Sequence, residues 1–262
     1  MKSEIVVFKS RNLVLQRLAD HVVHGNSHYC AGTVPVNRCA KLIAKFDLYY
    51  NILADRNKRA RRKRADLGNA AMLLLHNGEV IQWWLLVTKP SGGDHPAHHL
   101  EKLRDANDKL GRIEIDGYEL VCLPKKGSEG TKFTWRMTAR AYQNWRDYII
   151  DTVRSGSVTA MHRMLYQLWS VPGFAGIRSQ VGHLVALYRS EVKRASRKDA
   201  PLPPKRLPYI RRLKDHGVSL TLLMREINAQ SRATLKSCEQ AEIQPKFLQI
   251  HEATHDCNEK SK

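Results

Sequence analysis

Seven of the nine residues from Arg56 to Arg64 are cations: Arg56, Lys58, Arg59, Arg61, Arg62, Lys63 and Arg64. No acid interrupts the run, so each charge repels its neighbours until an anion arrives. A phosphate backbone is the anion such density suits, because each phosphate neutralised by Lys or Arg releases condensed counterions. A solvated helix face, a localisation signal or a dock for an acidic protein would use the same residues. Asn57 can pair bidentately with adenine, but one Asn names no base sequence.

A second basic region runs from Arg189 to Lys214, where ten Lys and Arg stand against Glu191 and Asp199. Lys193, Arg194, Arg197 and Lys198 end a predicted helix, where cations suit the macrodipole without any ligand. Lys205, Arg206, Arg211, Arg212 and Lys214 are the better candidates, because they bracket Tyr209. Cations that track a backbone beside a stacking ring are the pattern of single-strand binders, although Tyr209 and Ile210 also suit a packing role. Lys132, Thr134 and Arg136 share one face of a predicted strand and are further candidates for phosphate contact. The opposite face, Phe133, Trp135 and Met137, is expected in the core, as are Trp83 and Trp84, rather than as base-stacking platforms.

Residues with metal or catalytic chemistry are present but poorly spaced. His24, His28, Cys30 and Cys39 are irregular, no Cys-x-x-Cys pair exists, and His95, His98 and His99 lack a second ligand group. No metal or cofactor is expected. Asp116, Glu119 and Lys125 sit in a β-rich stretch without the acid-x-Lys triplet of restriction-like nucleases. No Gly-rich phosphate loop occurs, so nucleotide hydrolysis is not expected. No catalytic residue is assigned; a ribonuclease that needs no metal and no fixed motif stays open as an alternative.

The composition agrees with a polyanion partner. The 262 residues carry a formal charge of +19, and 42% hydrophobic residues are too many for a disordered tail protein. No apolar run spans a bilayer, the first residues do not form a signal peptide, and five scattered cysteines predict reduced thiols. A soluble cytoplasmic protein with no membrane partner is expected.

The elements that must position these groups can be sketched. Ile5 to Phe8 is a short apolar start, and Leu15, Leu18 and Val22 stripe a helix that ends at Gly25. A loop is expected to Pro35. Cys39, Leu42, Ile43, Phe46, Tyr50 and Leu53 then predict a long helix. No Gly or Pro stops it before Gly68, so Arg56 to Arg64 is expected as its projecting arm. Asn77-Gly78 predicts a hairpin with both turn residues at positive φ, between Ala71 to His76 and Glu79 to Thr88. Asp94 is expected to cap a helix carrying Leu100, Leu103 and Leu110. Strands follow at Arg112 to Leu123 and Lys132 to Thr138. Three helices come next, with starts capped by Thr138 and Ser157 and stripes at Ile149, Val153, Leu165, Leu168, Val181, Leu184 and Tyr188.

These elements predict an α+β fold: an antiparallel sheet of four to five strands covered on one face, a long basic N-terminal helix and a C-terminal helical half. The expected organisation is a domain over 1–199, a proline linker over 200–208, a small basic helical segment over 209–236 and a disordered tail over 237–262.

His28-Tyr29 through Pro35, Trp83-Trp84-Leu85-Leu86-Val87-Thr88, Phe133-Thr134-Trp135-Arg136-Met137-Thr138 and Pro172-Gly173-Phe174-Ala175-Gly176 resemble runs in uncharacterised basic proteins of bacterial plasmids and integrative conjugative elements. The resemblance covers about residues 28 to 214 and brings no catalytic residues. It implies maintenance, replication, transfer or defence of a mobile element. The expected function is nucleic-acid binding, with DNA ahead of RNA. A phosphodiester-cleaving enzyme and a scaffold for acidic proteins are the alternatives, and protein partners or a second copy of the chain are allowed for.

Overall fold

The computed structural model describes residues 5–89, 95–125, 127 and 129–229. The expected cap Asp94, the end of the last helical segment and the tail over 237–262 lie outside them.

The chain opens with strand β1 (Val6–Phe8) and helix α1 (Arg11–Val23), capped by the Ser10 hydroxyl accepting from the Leu13 N–H. The segment expected as a loop is instead an eight-residue strand, β2 (His28–Pro35). Only Tyr29 of it is buried, so no alternating apolar pattern betrays it. Helix α2 (Val36–Tyr50) buries Cys39, Ile43, Phe46 and Tyr50 as its stripe requires.

The long helix does not run on into the arm. Asn51 ends α2 in the left-handed region at φ 53°, Ile52 and Ala54 turn into the core, and Asp55 caps a separate helix, α3 (Arg56–Arg64). Asn and Asp make the break that Gly or Pro was expected to make, since Asn tolerates positive φ and the Asp55 carboxylate accepts from the Lys58 N–H at 2.7 Å.

Strands β3 (Ala70–Asn77) and β4 (Val80–Val87) form the hairpin, but its turn residues are Gly78 and Glu79, with positive φ at Gly78 alone. That is the type II′ arrangement, with Gly at the first central position. Where a helix through Leu110 was expected, a single turn, α4 (Ala97–Leu100), leads to β5 (Arg104–Asp105). Next come β6 (Glu114–Ile115), β7 (Tyr118–Pro124) and β8 (Thr131–Met137). Asp116 and Gly117 both take positive φ between β6 and β7, so the stretch expected as one strand from Arg112 to Leu123 is divided by a tight turn.

Helices α5 (Ala139–Ser155), α6 (Val158–Trp169) and α7 (Ala175–Arg194) complete the helical part. The Thr138 and Ser157 hydroxyls cap the first two, and Gly156, at φ 74°, ends α5. An extended stretch then leads to β9 (Gly217–Ser219) and a last helix, α8, over residues 220–229.

Two sheets result. The larger has order β5-β2-β4-β3-β1-β9, with β1 parallel to β3 and the other pairs antiparallel, so it is mixed and not purely antiparallel. The smaller is antiparallel β6-β7-β8. The large sheet is covered on both faces, against the expectation of one. Leu73, Leu75, Trp84 and Leu86 join α1, α5–α7 and the small sheet in one core. Met72, Leu74, Ile81, Leu85 and Val87 join α2 and α8 in the other. Trp83 packs toward the second core and Trp84 into the first, as their core reading required. Trp135 is fully buried and its indole N–H donates to the Leu15 carbonyl at 2.8 Å, tying the small sheet to α1.

Two histidines make this fold acid-sensitive. His95 is fully buried, and burial, then the charges of Arg62 and His98, bring its pKa down to about 4. His21 is also brought to about 4, by burial first and by the Arg59 charge next, with Asp20 opposing. Unfolded imidazoles titrate near ~6.5, so between those values the unfolded chain binds more protons than the folded one. Stability present above pH 6.5 must then be lost as pH falls toward 4. Urea midpoints measured across that interval should fall steadily. A flat profile would show that both rings carry charge in the folded state.

Candidate nucleic-acid interface

The cations divide into those that hold the structure and those that face solvent. On α3, Arg59 donates to the Ile52 and Ala54 carbonyls at 2.7 and 2.9 Å, and its Nη and Nε are thereby spent on the α2–α3 connection. Arg62 donates to the Gly68 and Leu67 carbonyls at 3.0 and 3.1 Å and closes the other end. The expectation that both lie beyond the core and are free to meet phosphates is therefore corrected. Lys58 reaches the Asn51 side chain. Arg56, Arg61, Lys63 and Arg64 are exposed, and after the bond from the Lys58 N–H, the Arg61 charge is among the causes that hold the Asp55 carboxyl below its usual range. Lys63 and Lys89 line a cleft of about 340 Å³ at the foot of α3.

The strand face Lys132, Thr134, Arg136 also splits. Glu119, itself buried, accepts from Arg136 at 2.7 Å and from Arg112 at 3.0 Å. Thr134 is buried, and its hydroxyl accepts from the Gly176 N–H at 3.2 Å, pinning the start of α7 to β8. Lys132 alone of the three is exposed.

Lys132 faces the segment expected as a linker. Residues 200–215 lie extended against the rest of the molecule and are fastened along their length. The Tyr188 hydroxyl donates to the Pro201 carbonyl at 2.8 Å, and Arg178 donates to the Leu207 carbonyl at 2.7 Å. The Ile210 N–H donates to the Gly173 carbonyl at 3.1 Å. A Cβ on Gly173 would stand 2.0 Å from the Pro208 carbonyl oxygen, so only glycine lets the segment approach there. Buried Gln16 donates to the Arg211 carbonyl and accepts from the Leu213 N–H, like a strand partner. Arg17 adds the Leu213 carbonyl and the Asp215 carboxylate.

A groove of about 600 Å³ opens between this segment, α7 and the ends of β7 and β8. It brings together Lys132, Lys205, Arg206 and Tyr209, four of the residues the sequence suggested. Arg178 and Arg189 join them. No carboxylate occurs among its described lining residues. The Arg178 guanidinium lies 3.4 Å from the centroid of the Tyr209 ring, which remains 66% exposed. Sequence reasoning shows no sign of Arg178 and counts Arg189 only within the second basic region. Their spacing with Val185, at 178, 185 and 189, puts them on one helix face, which was the signal that could have found them.

Arg212 does not join the groove; it pairs with Asp20 at 2.6 and 2.8 Å. Partial burial would raise the Asp20 pKa, but Arg212 and Arg17 outweigh it and hold the carboxyl below its usual range. Arg211 and Lys214 are exposed on the same stretch, outside the groove.

The other suggested chemistry is dispersed. Burial lifts the thiols of Cys30 to about 12 and Cys39 to about 11, far from reactive. Among the described residues no three His, Cys, Asp or Glu side chains form a group able to hold a metal ion. Tyr50 is buried and donates to Glu101 at 2.8 Å. No helix among the described residues is long and apolar enough to cross a membrane.

Replacing Arg59 by Gln should destabilise the fold by about 1–3 kcal/mol, since two carbonyls are deprived of a charged donor. Arg61→Gln, two residues on and exposed, should stay within about 0.5 kcal/mol of the parent. Urea denaturation of the two variants checks the division; equal effects would refute it. Comparison with protein-family models, with curated proteins and with solved structures finds no match to this chain.

Proposed function

We propose that the protein binds nucleic acid through its phosphates, using the exposed cations of α3 and the groove beside α7. What supports this is the separation of charge. Acids stand beside framework cations: Asp20 with Arg17 and Arg212, Glu119 with Arg112 and Arg136, Asp116 with Arg11. Among the described residues the groove lining has no acid, and α3 has none between its cap Asp55 and Asp66. Arg61 lies three residues from both Lys58 and Arg64, so like charges face each other along the helix and each such pair costs ~0.2–0.5 kcal/mol. A phosphate backbone removes that repulsion and returns the entropy of released counterions. The resemblance to proteins of plasmids and integrative conjugative elements sets DNA ahead of RNA and implies work on such an element in a bacterial cytoplasm.

The test removes charge where it carries no structural load. Arg56, Arg61, Lys63 and Arg64 are replaced together by Gln, which keeps helix propensity close to that of Arg and Lys. Binding of parent and variant to duplex DNA, single-stranded DNA and RNA is followed over a salt series. Each phosphate left without its cation flattens the slope of log K against log salt by about 0.9 on duplex DNA. Removing all four cations should flatten it by about three to four units, with affinity lowered alike for every sequence. An unchanged slope with an unchanged circular dichroism spectrum would make α3 a solvated helix or a protein dock. Shortened nucleic-acid products, with Mg²⁺ or with chelator, would replace the binding reading by a phosphodiester-cleaving one.

A further inference from the structure

The groove has two features that phosphate binding alone does not require. The first is the ring of Tyr209. Arg178 covers one face at 3.4 Å and also donates to the Leu207 carbonyl, so the ring is held in place from behind. Its other side is open, and two-thirds of the residue faces solvent. A ring placed only to pack would hide both faces.

The second is Gly182, in the middle of the twenty-residue helix α7. Glycine is among the least favourable residues in a helix interior, because it loses more backbone freedom than any other. Nothing in the packing asks for it: a Cβ there would meet no atom within 4 Å. Gly182 does line the groove, between Arg178 and Arg189 on the same helix. A side chain at this position would stand in the groove itself.

Resting on the nucleic-acid reading above, we propose that this groove takes single-stranded nucleic acid. One base stacks on the open face of Tyr209, the neighbouring phosphates meet Lys132, Arg189, Lys205 and Arg206, and the strand passes close over the backbone at Gly182. A duplex cannot use this arrangement, since its bases are paired and stacked on one another and must be pulled out first. A single strand offers a π-face at every base, whatever the sequence, and a ring beside tracking cations is how such strands are held. The volume, about 600 Å³, lies within the roughly 300–1,000 Å³ that built ligand sites occupy. The groove thus serves loops, ends or displaced strands, while α3 serves any phosphate backbone.

The experiment measures fluorescence anisotropy of a labelled oligothymidylate, an oligouridylate and a blunt-ended duplex with the full chain. Tyr209→Ala should weaken both single strands by about tenfold or more and leave the duplex unchanged. Tyr209→Phe, which keeps the π-face, should bind as the parent does. Gly182→Phe should keep or raise the melting temperature and, by blocking the groove, bring single-strand affinity down to that for the duplex. Should that variant misfold, Tyr209→Ala still decides, because its side chain is exposed. Tyr209→Ala that leaves single-strand binding intact, or weakens duplex and single strand equally, overturns the proposal. If the parent meanwhile holds the duplex, the wider nucleic-acid reading stands without it. A parent that binds none of the three probes at low salt ends both.

Discussion

The register of the β3–β4 hairpin is the constraint on which the rest of the molecule depends. Leu74 faces Trp83 and Leu73 faces Trp84 across the pair, and alternate residues go to opposite cores. Six consecutive residues of β3, from Ala70 to Leu75, are buried, so the strand has no solvent face to absorb an error. A slip of one residue would send every one of these side chains to the wrong core. The turn at Gly78, with φ 66°, fixes the count of residues and thereby the register. β2 then reads that register from the other side of β4: Gly32 lies under the Trp83 ring, where a Cβ would come within 2.9 Å of it.

From this centre the candidate surfaces are built by polar fasteners more than by further apolar burial. Gln16 on α1 and Gln180 on α7 are used alike. Each amide donates to one backbone carbonyl and accepts from a backbone N–H, Gln16 at residues 211 and 213, and Gln180 at both groups of Met137. A buried or half-buried amide satisfied twice in this way replaces the strand partner that an extended segment lacks. With Tyr188, Arg178 and Gly173 it turns a proline-rich stretch into a wall. Proline suits that wall because it has no N–H left to satisfy. β9 closes the path by pairing with β1, which returns the chain to the large sheet.

Local signals explain which parts of this could be seen in the sequence. Helices α5 and α6 were legible because Thr138, Gly156 and Ser157 mark their ends, and all three, α7 included, because their stripes have helical spacing. β8 was legible from strict alternation. β2 was not, because one buried tyrosine among small and polar residues carries no period. The break between α2 and α3 was signalled only by Asn51 and Asp55, which act through φ and a side-chain bond rather than through helix propensity. The parallel β1–β3 pair joins residues far apart in sequence, and no local pattern announces it. For the candidate site, residue types were legible and their division was not. Arg59, Arg62, Arg136 and Arg212 look like their neighbours in sequence; carbonyls and carboxylates brought near by folding make them structural.

That division changes what a charge of +19 means. Count alone would predict a diffuse field, strongest wherever Lys and Arg are dense. The fold instead assigns its acids. Asp20, Asp116, Glu119 and Asp215 sit beside Arg11, Arg17, Arg112, Arg136 and Arg212, so those arginines are balanced at short range. No acid lies within α3 or among the groove's described lining residues, so positive charge is left standing at those two places. A cleft lined by one sign of charge and walled by apolar groups such as Val181, Val185 and Leu207 focuses its field outward. The placement of a few carboxylates, as well as the number of cations, therefore determines where the surface stays positive.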